Sequence, residues 1–169
     1  MIKRLALFIL VLAVMVPAMG ETFASSQLGC SITYPEGWVR KRANFAPLVV
    51  LYEESVLEPL AENFHLDVTQ LSGNIDQSMF SRMDLMELED RFPEMKLVVS
   101  KDTPLGNLKD AHRFEFAGKY GGRDFKALSV TGYQGSRKYT VYFGAEKKTY
   151  DRLISKVESS IRSFKTTGK

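Results

Sequence analysis

The sequence predicts an α+β domain: strands joined by tight turns, packed beneath amphipathic helices. Three observations carry this expectation. Residues 111–143 read as strand, Gly-Gly turn, strand, Gly turn, strand. After Gly144 the apolar period lengthens from two to that of a helix. A second helical pattern follows Gly73-Asn74 in the middle of the chain.

In residues 111–117, His112, Phe114 and Phe116 alternate with Arg113 and Glu115, the signature of a half-buried strand. Gly121-Gly122 suits a hairpin turn because glycine enters positive φ at no steric cost. Residues 123–133 place Leu128 and Val130 on one face and Phe125, Ala127 and Tyr133 on the other. A strand apolar on both faces is expected near the centre of a sheet. Gln134-Gly135-Ser136 breaks it, and Tyr139, Val141 and Phe143 resume the alternation. Tyr150, Leu153, Ile154, Val157, Ile161 and Phe164 then form one apolar stripe on a terminal helix. Such a stripe needs a partner, and the sheet just built is the nearest.

The chain opens Met-Ile-Lys-Arg, followed by twelve apolar residues from Leu5 to Val16, then Pro17 and Ala18-Met19-Gly20. A basic start, a short apolar run and a small-residue exit describe a secretory signal peptide, residues 1–20. Twelve helical residues reach about 18 Å, short of a hydrocarbon layer of roughly 30 Å. Cleavage is expected after Gly20, with Ala24 as the second choice, leaving one domain over 21–169 that acts in the periplasm or outside the cell. Cys30 in Gln27-Leu28-Gly29-Cys30 invites a lipoprotein reading. Gln27 and the polar stretch after Gly20 disfavour it, so Cys30 is expected as a buried strand residue. A single cysteine allows no internal disulfide.

Loss of Lys3 and Arg4 lowers the net charge from +3 to +1, a balance that implies neither nucleic acid nor a membrane surface. The distribution is uneven. Residues 53–94 hold 11 acids and 2 bases, whereas residues 95–169 hold 16 bases and 7 acids. Either the surface is polarised for a charged partner, or the two segments lie side by side and offset each other; the second is the expectation.

Between these landmarks, Ser31–Tyr34 reads as a short strand. Tyr34-Pro35-Glu36-Gly37 reads as a type I turn with Pro second and Gly fourth. Trp38 is expected to plug the end of the core, and Arg40-Lys41-Arg42 to be a solvated loop. Residues 48–52 and 64–71 read as strands separated by an acidic loop, 53–62. Asn74 with Gln77 fits a capping box. Ile75, Met79, Phe80, Met83, Met86 and Leu88 then make a broad apolar face, expected to be core, on a helix that ends at Pro93. Residues 96–101 form a further strand.

Tyr34-Pro35-Glu36-Gly37-Trp38, the mid-chain helix, Ala111-His112-Arg113-Phe114-Glu115-Phe116 and Tyr150-Asp151-Arg152…Ile161-Arg162-Ser163-Phe164 together resemble the PsbP-like superfamily. The resemblance extends over essentially the whole mature chain. It implies an α/β/α sandwich with a mostly antiparallel sheet of about six strands flanked by helices. It also implies a binding or assembly module rather than an enzyme. The long N-terminal extension of the plant photosystem subunit is missing, and no metal or chloride ligand is carried over from that protein.

No catalytic constellation stands out, and no catalytic residue, cofactor or metal ligand is assigned. The two histidines both fall in strand patterns: His112 is expected to face the core, and His65 to be exposed. With Asp67 they would form a metal site only if their strands pair. The expectation is therefore an exported, non-enzymatic module. It would act through protein–protein contacts with another envelope or lumenal protein at the extracytoplasmic face of a membrane. A small-molecule or metal carrier is the alternative, and a hydrolase with an unfamiliar site stands behind it.

Overall fold

The structure, a computed structural model, describes residues 20–44, 46–52, 63–72 and 77–167. The apolar leader, the acidic loop 53–62, the Asn74 cap and Ile75 lie outside the described residues. Among these residues ten strands and two helices follow one another. They are β1 (Thr22–Ser25), β2 (Cys30–Thr33), β3 (Trp38–Lys41), β4 (Leu48–Tyr52), β5 (Asn63–Gln70), α1 (Gln77–Arg91), β6 (Met95–Asp102), β7 (Ala111–Tyr120), β8 (Arg123–Gln134), β9 (Arg137–Glu146), α2 (Lys147–Ser163) and β10 (Lys165–Thr166). Seven strands form one antiparallel sheet in the order β3-β4-β5-β9-β8-β7-β6, and a small sheet has the order β1-β2-β10.

The expected hairpins form. Tyr120 pairs with Arg123 across Gly121 and Gly122, whose φ values of 56° and 79° are those a two-residue primed turn requires. The two faces of β8 divide as their sequence alternates. Leu128 and Val130 enter a core beneath α2, while Phe125 and Ala127 enter a second core beneath α1. The main sheet is thus the middle layer of a sandwich, with α1 on one face and α2 and the small sheet on the other.

The α2 stripe is buried as expected through Tyr150, Leu153, Val157 and Ile161. Leu153 and Val157 alone, at about 1.5–3 kcal/mol per fully buried aliphatic side chain, hold the helix down firmly. Arg113 and Glu115, on the same face of β7, are roofed by α2: Arg113 donates to Glu115 and to Glu158 at 2.6 Å each. Trp38 is buried among Tyr52, Phe64 and Phe143, the end-plug that its position suggested.

Two local readings are corrected. The Pro-Glu-Gly turn lies one residue later than expected, because Trp38 N–H donates to the Pro35 carbonyl. Gly37 therefore sits third, where its φ of 79° matches a type II turn. The first strand of the fold is β1, whose four residues are too few to show a period; Phe23 is its one buried side chain.

Candidate binding surface

The mid-chain helix presents the opposite side to the one its apolar residues suggested. Phe80, Asp84 and Leu88, spaced four apart, point inward, and Met79, Met83 and Met86 are 59%, 52% and 60% exposed. The inversion has a local cause. Phe80 stacks on Tyr133 with ring centroids 4.9 Å apart. One turn on, the Asp84 carboxylate accepts the Tyr133 hydroxyl at 3.0 Å and the Lys138 ammonium at 2.7 Å. A buried carboxylate is tolerable only with such partners, and these two come from adjacent strands, β8 and β9. Burial and the neighbouring carboxylate raise the Tyr133 pKa well above its ordinary value, so its proton stays in the bond. Just past the helix, Phe92 packs among Phe116, Tyr120 and Tyr142 and anchors that end.

With both ends pinned, the methionines at 79, 83 and 86 fall on one outward line, the i, i+4, i+7 spacing of a helix face. Asp90 continues the line, and Glu87 and Glu89 flank it. Large exposed apolar side chains in a row are unusual on a monomer surface, and methionine adapts its shape to irregular partners. Chemically, the surface offers an apolar strip bordered by Arg82 and, toward its C-terminal end, by acids.

Of the two imidazoles, His65 takes the place opposite to its expected one. His65 is buried and stacks on Tyr142, with ring centroids 4.7 Å apart and its Nδ1 3.2 Å from Asn63 Oδ1. Burial, reinforced by the Arg91 charge, lowers its pKa to about 3, so the ring is neutral. His112 shares a face with Phe114 and Phe116 as expected, but it lies at the rim of the sheet, half-buried. Its Nδ1 lies 2.8 Å from Asp102 Oδ1 and its Nε2 2.9 Å from Ser100 Oγ. Neither residue was singled out in the sequence, because only the β6–β7 register brings them to the ring. The sheet order places β9 and β8 between β5 and β7, so His65 and His112 stand three strand spacings apart, roughly 14 Å. They cannot share a metal ion.

The Ser100–His112–Asp102 chain has the connectivity of a hydrolytic triad. The surroundings differ from one in two ways. Asp102 is 95% exposed, so water competes for the bond that would orient the ring. Ser100 lies within an extended strand, where successive N–H groups point in opposite directions and two cannot converge on one acyl oxygen. What the chain does is tie the outermost strand to its neighbour through side chains.

Cys30 is buried in β2, between β1 and β10, and burial raises its thiol pKa. Among the described residues no helix is long and apolar enough to cross a membrane.

No family model and no curated protein matches the chain. Solved structures do. A cyanobacterial PsbP from Synechocystis superposes with a TM-score of 0.65 at 12% identity, covering 86% of this chain and 91% of that one. The chain has the PsbP-like fold. The fold is the one the sequence resemblance implied, although among the described residues the main sheet has seven strands rather than about six. LpqN of Mycobacterium tuberculosis, described as involved in cell envelope biogenesis, has the same PsbP-like architecture. It superposes at a TM-score of 0.69 with 14% identity, covering 88% of this chain and 86% of that one. A Pseudomonas aeruginosa protein of unknown function, described as a putative regulator, gives 0.56 at 12% identity, with 78% and 99% covered.

Proposed function

We propose that this PsbP-like protein is an exported, non-enzymatic binding module that works at the extracytoplasmic face of a membrane and grips a partner protein with the methionine line of α1. The observation that carries the reading is the outward placement of Met79, Met83 and Met86 on a helix whose inner side is fully engaged. The N-terminal leader supports export, and the involvement of LpqN in cell envelope biogenesis supports an accessory role. The chemistry of the surface selects the partner: an amphipathic segment with an apolar ridge to meet the methionines and basic flanks to meet Glu87, Glu89 and Asp90.

The test uses the mature chain as bait in an envelope extract of its own host, beside a Met79→Ser/Met83→Ser/Met86→Ser variant. Exposed substitutions of this kind change stability by about 0.5 kcal/mol or less each, so the variant stays folded. The wild type should retain a partner that the variant loses, and the same difference should reappear with the purified partner. Equal capture by both proteins overturns the assignment of the surface.

A further inference from the structure

The outer side of α2 bears a pattern the binding reading does not use. The helix holds five bases and two acids, and both acids are already engaged. Asp151 accepts Lys126 from β8 at 2.6 Å and Lys147 at 2.7 Å, and Glu158 accepts Arg113 from β7 at 2.6 Å. Lys148, Arg152, Lys156 and Arg162 are exposed, and none has an acid partner among the described residues. The first three recur every four residues, a rise of about 6 Å each. Arg152 lies over the Tyr52 ring of β4 at 5.2 Å. Only small hydroxyls, Ser155 and Ser159, stand between the cations on the outermost line.

Apart from its buried Asp84, the α1 helix carries three acids and two bases, and the sheet keeps the two helices apart. Where the acidic and basic segments meet beneath α1 they pair, Asp84 accepting Lys138 at 2.7 Å. Because the mature chain is nearly neutral, a cationic face here reflects placement and not overall charge.

We propose that the outer face of α2 seats on the anionic phospholipid headgroups of a membrane surface. This rests on the membrane-face part of the reading above and is independent of the α1 partner. A lipid surface fits better than an acidic protein because stable protein contacts are built around buried aromatic or apolar anchors. Among the described residues the large exposed apolar side chains are Val39, Met79, Met83, Met86 and Val98, and none is on α2. A headgroup layer needs no such anchor, since each Lys or Arg near an anionic leaflet is drawn to it by charge alone.

Co-sedimentation of the mature chain with vesicles decides it. Binding is expected to vesicles of phosphatidylethanolamine with 30 mol% phosphatidylglycerol at about 50 mM salt, not to phosphatidylcholine vesicles, with release at about 500 mM. The variant Lys148→Gln/Arg152→Gln/Lys156→Gln should bind on the order of 100-fold more weakly. A variant with the same charge change elsewhere, Lys41→Gln/Arg42→Gln/Arg82→Gln, should stay within about threefold of wild type, and thermal melts establish that both are folded. Absence of a phosphatidylglycerol preference overturns the proposal. So does equal weakening by both variants, or binding to acidic proteins without binding to vesicles. The methionine variant should bind vesicles like wild type, so the outcome here and that for the α1 partner are read separately.

Discussion

Asp84 holds its carboxylate between Tyr133 and Lys138 under α1, where the side chain is 9% exposed. Removing it strands an ammonium and a hydroxyl that the helix still covers. Asp84→Ala should therefore cost about 3 kcal/mol in urea unfolding, and Asp84→Leu with Lys138→Met should recover most of that loss, because the pair is then replaced by packing. Equal loss in the single and double variants would show that the site is simply intolerant of change. His65 sets a pH dependence of the opposite chemical kind. Its native pKa of about 3 lies below the ordinary 6.5, so between these values the unfolded chain binds a proton that the native state refuses. Stability contributed by the neutral ring is full above pH 6.5 and falls as pH drops toward 3. Unfolding free energies at pH 7 and 4.5 should differ by on the order of 2 kcal/mol more in the wild type than in His65→Phe. An unchanged difference would place the proton sensitivity elsewhere. Neither behaviour was legible in the sequence. A carboxylate between apolar residues reads as solvent-facing, and the imidazole of an alternating strand reads as the wet side, until the layer above each strand is known.

Among the elements, the smallest carry the most information about maturation. The β1 strand pairs along its whole length with β2 and contributes Phe23 to the α2-side core. Cleavage after Ala24 would sever that strand, whereas cleavage after Gly20 leaves it whole. Attachment of a lipid to Cys30 would need both the loss of β1 and the exposure of a side chain that is 1% accessible. Intact-mass measurement of the exported protein should therefore give a chain starting at Glu21 with an unmodified thiol; a start beyond Ser25 or an acylated cysteine would refute this. Element type was largely legible, because periods of two and 3.6 residues differ clearly over ten or more positions. The four residues of β1 and the two of β10 offer no period to read. In α1 the period is present but its phase is ambiguous: methionines occupy one side, Phe80 and Leu88 the other, and the tie is broken by Asp84, a contact with strands about fifty residues away.

For the whole molecule, turn chemistry foretold the β7-β8-β9 meander and the helix that closes over it. It could not foretell that β5 pairs with β9, a partner supplied long after α1 has been made. That pairing, with the two helices on opposite faces, sets the methionine line of α1 and the cationic stripe of α2 on opposite sides of the sheet. The first and last described elements also meet. Backbone and side chain join Thr33 to Ser163 across 130 residues, and β10 completes the small sheet on β2. A chain cut at residue 149 has neither the second flank of β2 nor most of the helix that roofs Leu128 and Val130. The core beneath α2 therefore closes as one cooperative unit, its earliest strands and its last helix becoming native together.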